Sequence, residues 1–230
     1  VEIYRGVCWI AFLFFAGHSL QAQDTNSYGL FIVKDGQYFR QSTAKNPHLA
    51  FVELPADIPH LLLDIRYART DNFMGRVMYE EARAFLRKPV YDKLKQAATA
   101  FETMGYGILV FDAYRPYTTT LLMWNHTKEK AYVAHPKTGS RHNRGAAVDL
   151  TLYRISDGQT LDMGTPYDAF IPAAAPQYGQ LPTEILNHRR ILFEVMGRYG
   201  FSPHPEEWWH FDHIDYEKYP ITDLSFKQIK

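Results

Sequence analysis

Two stretches of this sequence carry residue types that can do chemistry at a metal ion. Ser140 to Asp149 reads S-R-H-N-R-G-A-A-V-D and offers an imidazole at His142 and a carboxylate at Asp149. Imidazole with carboxylate is a donor set suited to zinc. Gly145 lies between them and permits a tight backbone path, so both groups can converge on one point. A catalytic zinc needs a third protein ligand and keeps a fourth position for water. The second stretch, Glu206 to His213, reads E-E-W-W-H-F-D-H and supplies His210 as the third candidate. Zinc held in this way lowers the pKa of its water to about 7. Glu207, three residues before His210, is placed to accept a proton from that water and pass it to a leaving group. The spacing differs from the helical H-E-x-x-H pattern of other zinc hydrolases.

A single histidine carries little weight, because the sequence has ten. His48, His60, His126, His135, His188 and His204 are read as structural. Glu207 alone would be a solvated charge, and Trp208 and Trp209 alone would be core. The joint pattern of ligands on strands, a permissive glycine and a neighbouring acid gives the site reading its force.

The elements that must position these groups are legible in part. Leu61–Tyr67 reads as a strand by apolar density. The loop after it, with Asp71-Asn72 and Gly75, contains Phe73 and Met74, which either line a pocket or fold back on the core. Tyr79–Leu86 reads as a short helix. Pro89 opens a second helix with Val90, Leu94, Ala97, Ala98 and Phe101 on one stripe, ended by Gly105 and Gly107. Ile108–Phe111 is a strand continuous enough to be buried on both faces. It delivers D-A-Y-R-P, Asp112 to Pro116, whose charged pair is either a satisfied ion pair or part of a site. Pro116 starts a short helix through Trp124, and Ala131–Thr138 is a loop. Ala147–Leu152 alternates as a strand, with Val148, Leu150 and Leu152 on one face and Asp149 on the other. Arg154–Pro182 is a long loop rich in Gly, Pro and Ala, of the kind that serves function. A helix from Thr183 to Tyr199 and a last strand, Trp208–His213, complete the pattern. Asn26–Phe51 has no clear period and reads as an extended arm. The sum is an α+β domain with a small, mainly antiparallel sheet flanked by helices.

The sequence has 230 residues, 25 basic and 25 acidic, with no basic block. That balance gives no footprint of a nucleic-acid or anionic-membrane partner. Arg5 precedes an apolar run from Val7 to Gly17, and small Ala22 stands where cleavage would occur. This layout predicts a signal peptide over residues 1–22 and one domain over 23–230. The run is short for a membrane span, so no stable anchor is expected after leader removal. Cys8, inside the leader, is the only cysteine; no disulfide, thiol nucleophile or thiolate ligand is expected beyond it. Oligomeric state is not encoded legibly.

The pattern S-x-H-x-x-G-x-A-x-D, here Ser140, His142, Gly145, Ala147 and Asp149, followed by E-x-x-H at Glu207 and His210, resembles the zinc D,D-peptidases. R-Y-A-R-T-D-N-F-M-G from Arg66, D-A-Y-R-P from Asp112 and M-G-T-P-Y-D from Met163 make the chain more similar to their D-alanyl-D-alanine dipeptidase branch, the vancomycin-resistance type. The resemblance spans Leu61 to His213. It implies a zinc D,D-peptidase/hedgehog-like fold and one zinc on His142, Asp149 and His210. It implies Glu207 as general base and acid and Arg115 as the group that stabilises an oxyanion, a role suited to a fixed, permanently charged fork. It further implies Asp168 as the carboxylate that binds the free ammonium of a D,D-dipeptide, with Ser140 and Tyr67 lining the site. Arg154–Gln180 is then a candidate lid that excludes longer peptides by clash. The leader favours an exported, periplasmic enzyme of cell-wall peptide turnover or recycling. The competing readings are a zinc D,D-carboxypeptidase acting on longer peptidoglycan peptides and a non-catalytic module with a structural zinc. The presence of Glu207 speaks against the module, since a structural site has no need of a base.

Overall fold

The structure, a computed structural model, describes residues 25–55 and 57–229. The expected leader lies outside the described residues. In chain order the elements are β1 (Ile32–Val33), α1 (Gly36–Lys45), β2 (Phe51–Leu54), β3 (Leu61–Leu63), β4 (Ala84–Arg87), α2 (Lys88–Thr103) and β5 (Tyr106–Asp112). They continue with α3 (Tyr117–His126), β6 (Ala147–Arg154), α4 (Thr183–Arg198), β7 (Phe201–His204), β8 (Glu207–His213), β9 (Ile221–Thr222) and α5 (Phe226–Ile229). Five strands form the central sheet in the order β3-β5-β6-β8-β7. Only β3 and β5 run parallel; the other three pairings are antiparallel. The expectation of an α+β domain with a small, mainly antiparallel sheet therefore holds.

Side-chain alternation divides the sheet into a structural face and a chemical face. Val148, Leu150 and Leu152 of β6 are fully buried beside Ile108 and Val110 of β5. Helix α2 packs on β5 and α4 on β7, and the α2 stripe of Val90, Leu94, Ala97, Ala98 and Phe101 is buried in the same core. Asp149 and Thr151 point to the opposite face. The main core draws members from Leu54 to Phe226, with two smaller clusters around Ile32 and Val33 of β1. Among the described residues no helix is long and apolar enough to cross a membrane.

Register does most of the positioning. Asp149 of β6 lies directly opposite His210 of β8, and Asp112 of β5 lies opposite Asp149 on the other side. Directly opposed residues have side chains within about 5.5 Å at Cβ, so three adjacent strands deliver three polar groups to one patch. A register shift between Val110 and Asp112 gives β5 an extra residue at Phe111; such a bulge re-aims the strand end.

Three expectations are corrected here. Tyr79–Leu86 is not a helix: its second half enters β4, which pairs antiparallel with β2. All four residues of β4 are buried, so pairing and burial override the local helical preference. Asn26–Phe51 is not an extended arm throughout, because it contains α1, capped by the Asp35 side chain accepting from the Tyr38 N–H. The Leu61–Tyr67 strand is shorter than expected and gives way to a 3-10 turn at Arg66–Ala68.

Arg87 ties the ends of the domain to the site. It is fully buried without an acidic partner and donates to the carbonyls of Leu49, Arg144 and Pro220. Its guanidinium lies 4.0 Å from the centre of the Phe51 ring. Burial draws its pKa down to about 9.

Gly145 closes the 3-10 turn His142–Arg144 with φ +66°. A Cβ at this position would lie 2.2 Å from the Phe51 ring. Gly145→Ala therefore combines an unfavourable backbone with a steric clash. We expect it to lower unfolding stability by more than about 1 kcal/mol, read as an earlier midpoint in urea or thermal melts.

Candidate active site

Three donor atoms meet at the end of the paired strands. His142 Nε2 and His210 Nδ1 are 3.1 Å apart, and Asp149 Oδ1 lies 3.2 Å from the first and 3.1 Å from the second. All three residues are buried. Donors around a tetrahedral zinc at about 2.0–2.1 Å are about 3.4 Å apart, close to this triangle.

The outer hydrogen bonds fix which way each ring faces. His142 Nδ1 is 2.6 Å from the Ala113 carbonyl, and His210 Nε2 is 2.9 Å from Asp212 Oδ1. Each of those nitrogens faces an acceptor and so carries the proton; in a neutral ring the inner nitrogen is then a bare lone pair. Asp149 Oδ1 is buried with no hydrogen-bond donor among the described residues. Three lone pairs facing one another out of water repel unless a cation stands between them. The residues therefore fit a metal ion.

Without a metal, a proton takes that place. Burial opposes charge on His210, but the carboxylates of Asp212 and Asp149 outweigh it and hold the ring well above its usual pKa. Burial likewise opposes ionisation of Asp149, yet His142 and His210 hold its carboxyl well below the usual range.

All eight residues singled out in the sequence line one cavity of about 90 Å³: Tyr67, Arg115, Ser140, His142, Asp149, Asp168, Glu207 and His210. That volume is room for several waters or a very small ligand. Glu207 sits at the start of β8, buried, with Oε2 3.8 Å from His210 Nδ1. Burial, assisted by Asp149, raises its pKa to about 7. Glu206, beside it in sequence, is exposed.

Arg115 is both an ion-pair member and a wall of the cavity. Its Nε and Nη2 donate to Asp112 Oδ2 at 2.9 and 2.7 Å. Asp112 is itself held by the Tyr79 hydroxyl at 2.8 Å. The two readings of this charged pair are thus both realised.

Asp168 adopts a left-handed backbone, φ +58°, and receives the Tyr67 hydroxyl at 3.0 Å. Protein crowded around its carboxylate, then the charges of Asp149 and Glu207, raise its pKa well above the usual value. Ser140 Oγ accepts from the His142 N–H at 3.2 Å, bracing the turn before the ligand.

Several contributors were not anticipated. Asp212 orients His210; its place on the same strand face two residues on was the available signal. Tyr167 donates to Asp149 Oδ2 at 2.9 Å. His204, read as structural, lines the cavity, and burial lowers its pKa to about 4. Phe73 lines it, as one of the two readings of its loop expected, while Met74 folds into the core; Phe170 joins Phe73 at 5.1 Å to Tyr132, stacked at 4.7 Å. The long 155–182 connection enters the cavity only through its middle, at Asp168 and Phe170. Buried Arg189 of α4 holds the rest by donating to the carbonyls of Met163, Ala173 and Ala175. The candidate lid, Arg154–Gln180, is thus pinned at three carbonyls and forms a wall of the cavity at Asp168 and Phe170.

Residues 48–229 match the family model described as D-ala-D-ala dipeptidase. The chain belongs to that family. Its members are zinc metallopeptidases, so the protein is an enzyme of this class. A D-alanyl-D-alanine dipeptidase of Escherichia coli (strain K12) is 32% identical over 175 residues, covering 76% of this chain and 90% of the relative. One from Enterococcus faecalis (strain ATCC 700802 / V583) is 33% identical over 183 residues, covering 71% and 90%. Among solved structures the chain is loosely similar to that of VanYB in complex with D-alanine-D-alanine: TM-score 0.38, 18% identity, 59% of this chain and 75% of that one. Family membership rests on the sequence matches alone.

Because His210 holds a proton when no metal is present, metal uptake must displace it. Zinc affinity should therefore fall as pH is lowered from 8 to 6. Calorimetry in buffers of different ionisation enthalpy should register net proton release at pH 7.

Proposed function

We propose that this enzyme hydrolyses the D-alanyl-D-alanine dipeptide to two D-alanines, with one zinc held by His142, Asp149 and His210. The observation that carries the reading is the Asp168 carboxylate in the same small cavity as the three donors. A buried carboxylate held by a neutral hydroxyl and crowded by other acids gains from an ammonium group. A free dipeptide brings that ammonium; an interior residue of a longer peptide does not.

Bound at the triad, zinc supplies a Lewis acid that polarises a peptide carbonyl and acidifies water. The chain's own residues do the rest. Asp168, held by Tyr67, fixes the amino terminus. Glu207 takes a proton from the attacking water at its carboxylate and returns it to the departing amine nitrogen. Arg115, pinned by Asp112 through Nε and Nη2, lines the cavity and offers its guanidinium to the oxyanion of the tetrahedral intermediate. The predicted leader supports an exported, periplasmic role in cell-wall peptide turnover or recycling.

Glu207→Ala should retain zinc and lose about 10²- to 10⁴-fold in turnover, while Glu206→Ala stays within a few-fold. A base works only when ionised, so kcat/KM should fall on an acidic limb as pH drops; it should fall again above about pH 8, where the substrate ammonium that Asp168 binds loses its proton. A nearby cation can only lower the pKa of about 7 that Glu207 has without metal, so the acidic limb should lie at or below that value. A rate profile in zinc-loaded enzyme checks this, and a limb well above it would rule Glu207 out as the base.

Blocking the substrate's amino terminus tests Asp168. N-acetyl-D-Ala-D-Ala should be cleaved poorly, and Asp168→Asn should lower kcat/KM for the free dipeptide about 10- to 100-fold, the scale of a charge-assisted hydrogen bond. Equal rates on blocked and free dipeptide would favour a D,D-carboxypeptidase acting on longer peptidoglycan peptides.

A further inference from the structure

The two oxygens of Asp149 have separate partners. Oδ1 faces the imidazole nitrogens of the triad, whereas Oδ2 accepts from the Tyr167 hydroxyl at 2.9 Å. The next group near Oδ2 is Arg115 Nη2 at 3.9 Å, beyond hydrogen-bonding distance. Outside the triad, Tyr167 is thus the one hydrogen-bond donor to this carboxylate among the described residues.

The Tyr167 ring has little freedom to leave. It packs on Phe111 at 4.6 Å and meets Trp209 edge-on at 5.4 Å and Tyr67 at 6.3 Å. Phe111 is the extra residue of the β5 bulge, and Trp209 precedes His210. Tyr167 itself belongs to the long connection anchored by Arg189. A carboxylate on the sheet is therefore oriented by a hydroxyl delivered from a separate wall.

We propose that Tyr167 is a positioning residue for the metal: its hydroxyl holds Asp149 to one-oxygen ligation and couples order in the 163–175 wall to metal affinity. This rests on the reading that His142, Asp149 and His210 hold zinc. Without the hydroxyl, Oδ2 has no donor and the carboxylate is free to rotate about its Cβ–Cγ bond. Partners of this kind typically change metal affinity 10- to 100-fold. Coupling is reciprocal, so whatever the wall contributes to metal binding, metal binding returns to the order of the wall.

The test uses the full chain, stripped of metal and titrated with zinc against a competing chromophoric chelator. Tyr167→Phe keeps the ring and removes the donor. Its zinc affinity should be about 10- to 100-fold weaker than wild type. Hydrogen exchange of residues 163–175 should slow on adding zinc to wild type, and slow less in Tyr167→Phe. An affinity within about twofold of wild type overturns the proposal, as does wild-type exchange in this segment that ignores zinc. A merely structural tyrosine would lower the melting point of the metal-free form and leave affinity unchanged. Should Tyr167→Phe not fold, wild-type exchange with and without zinc decides. Wild type that binds zinc yet leaves D-Ala-D-Ala intact would overturn the proposed substrate and leave this inference standing. Wild type that binds no zinc overturns both.

Discussion

Repulsion among three buried lone pairs governs this structure. His142, Asp149 and His210 present electron density to one another at 3.1–3.2 Å, in surroundings where water cannot screen it. That arrangement is unstable alone and becomes stable around a cation. Keeping it requires that no ring turn over and no strand slip. The Ala113 carbonyl and Asp212 prevent the first by holding the outer ring protons. The pairing of β6 with β5 and β8 prevents the second, because a shift of one residue would send Asp149 to the helix-covered face.

The cavity as a whole is short of positive charge. Asp112, Asp149, Asp168, Glu207 and Asp212 gather around it, while Arg115 is largely spent on Asp112. Burial first, and then the neighbouring carboxylates, raise the pKa values of Glu207 and Asp168. A metal ion relieves one part of the shortage and a substrate ammonium another. Binding and chemistry thus draw on the same imbalance.

How much of this was written legibly in the sequence depended on distance along the chain. The three converging donors and the buried acid beside them were readable because their spacing is local: an imidazole and a carboxylate around Gly145, an acid three residues before His210. The α2 stripe and β6 followed from periodicity for the same reason. β4 was misread because its state is decided by pairing with β2, some thirty residues earlier. α1 was missed although Asp35 is an ordinary helix cap. Tyr167 and Ala113 were invisible in their roles, since nothing in the spelling of a loop tells which side chain it will touch.

The pairing of β1 with β9 has a consequence for biosynthesis. Ile32 and Val33 find their partners only at Ile221 and Thr222. The same C-terminal segment supports the turn that carries His142, through Thr222 donating to the Asn143 carbonyl and Arg144 donating to that of Tyr219. Until the ribosome has released that segment, the first strand stays unpaired and the ligand turn lacks its backing. Order in the turn that carries His142 therefore depends on a segment that lies far along the chain from it.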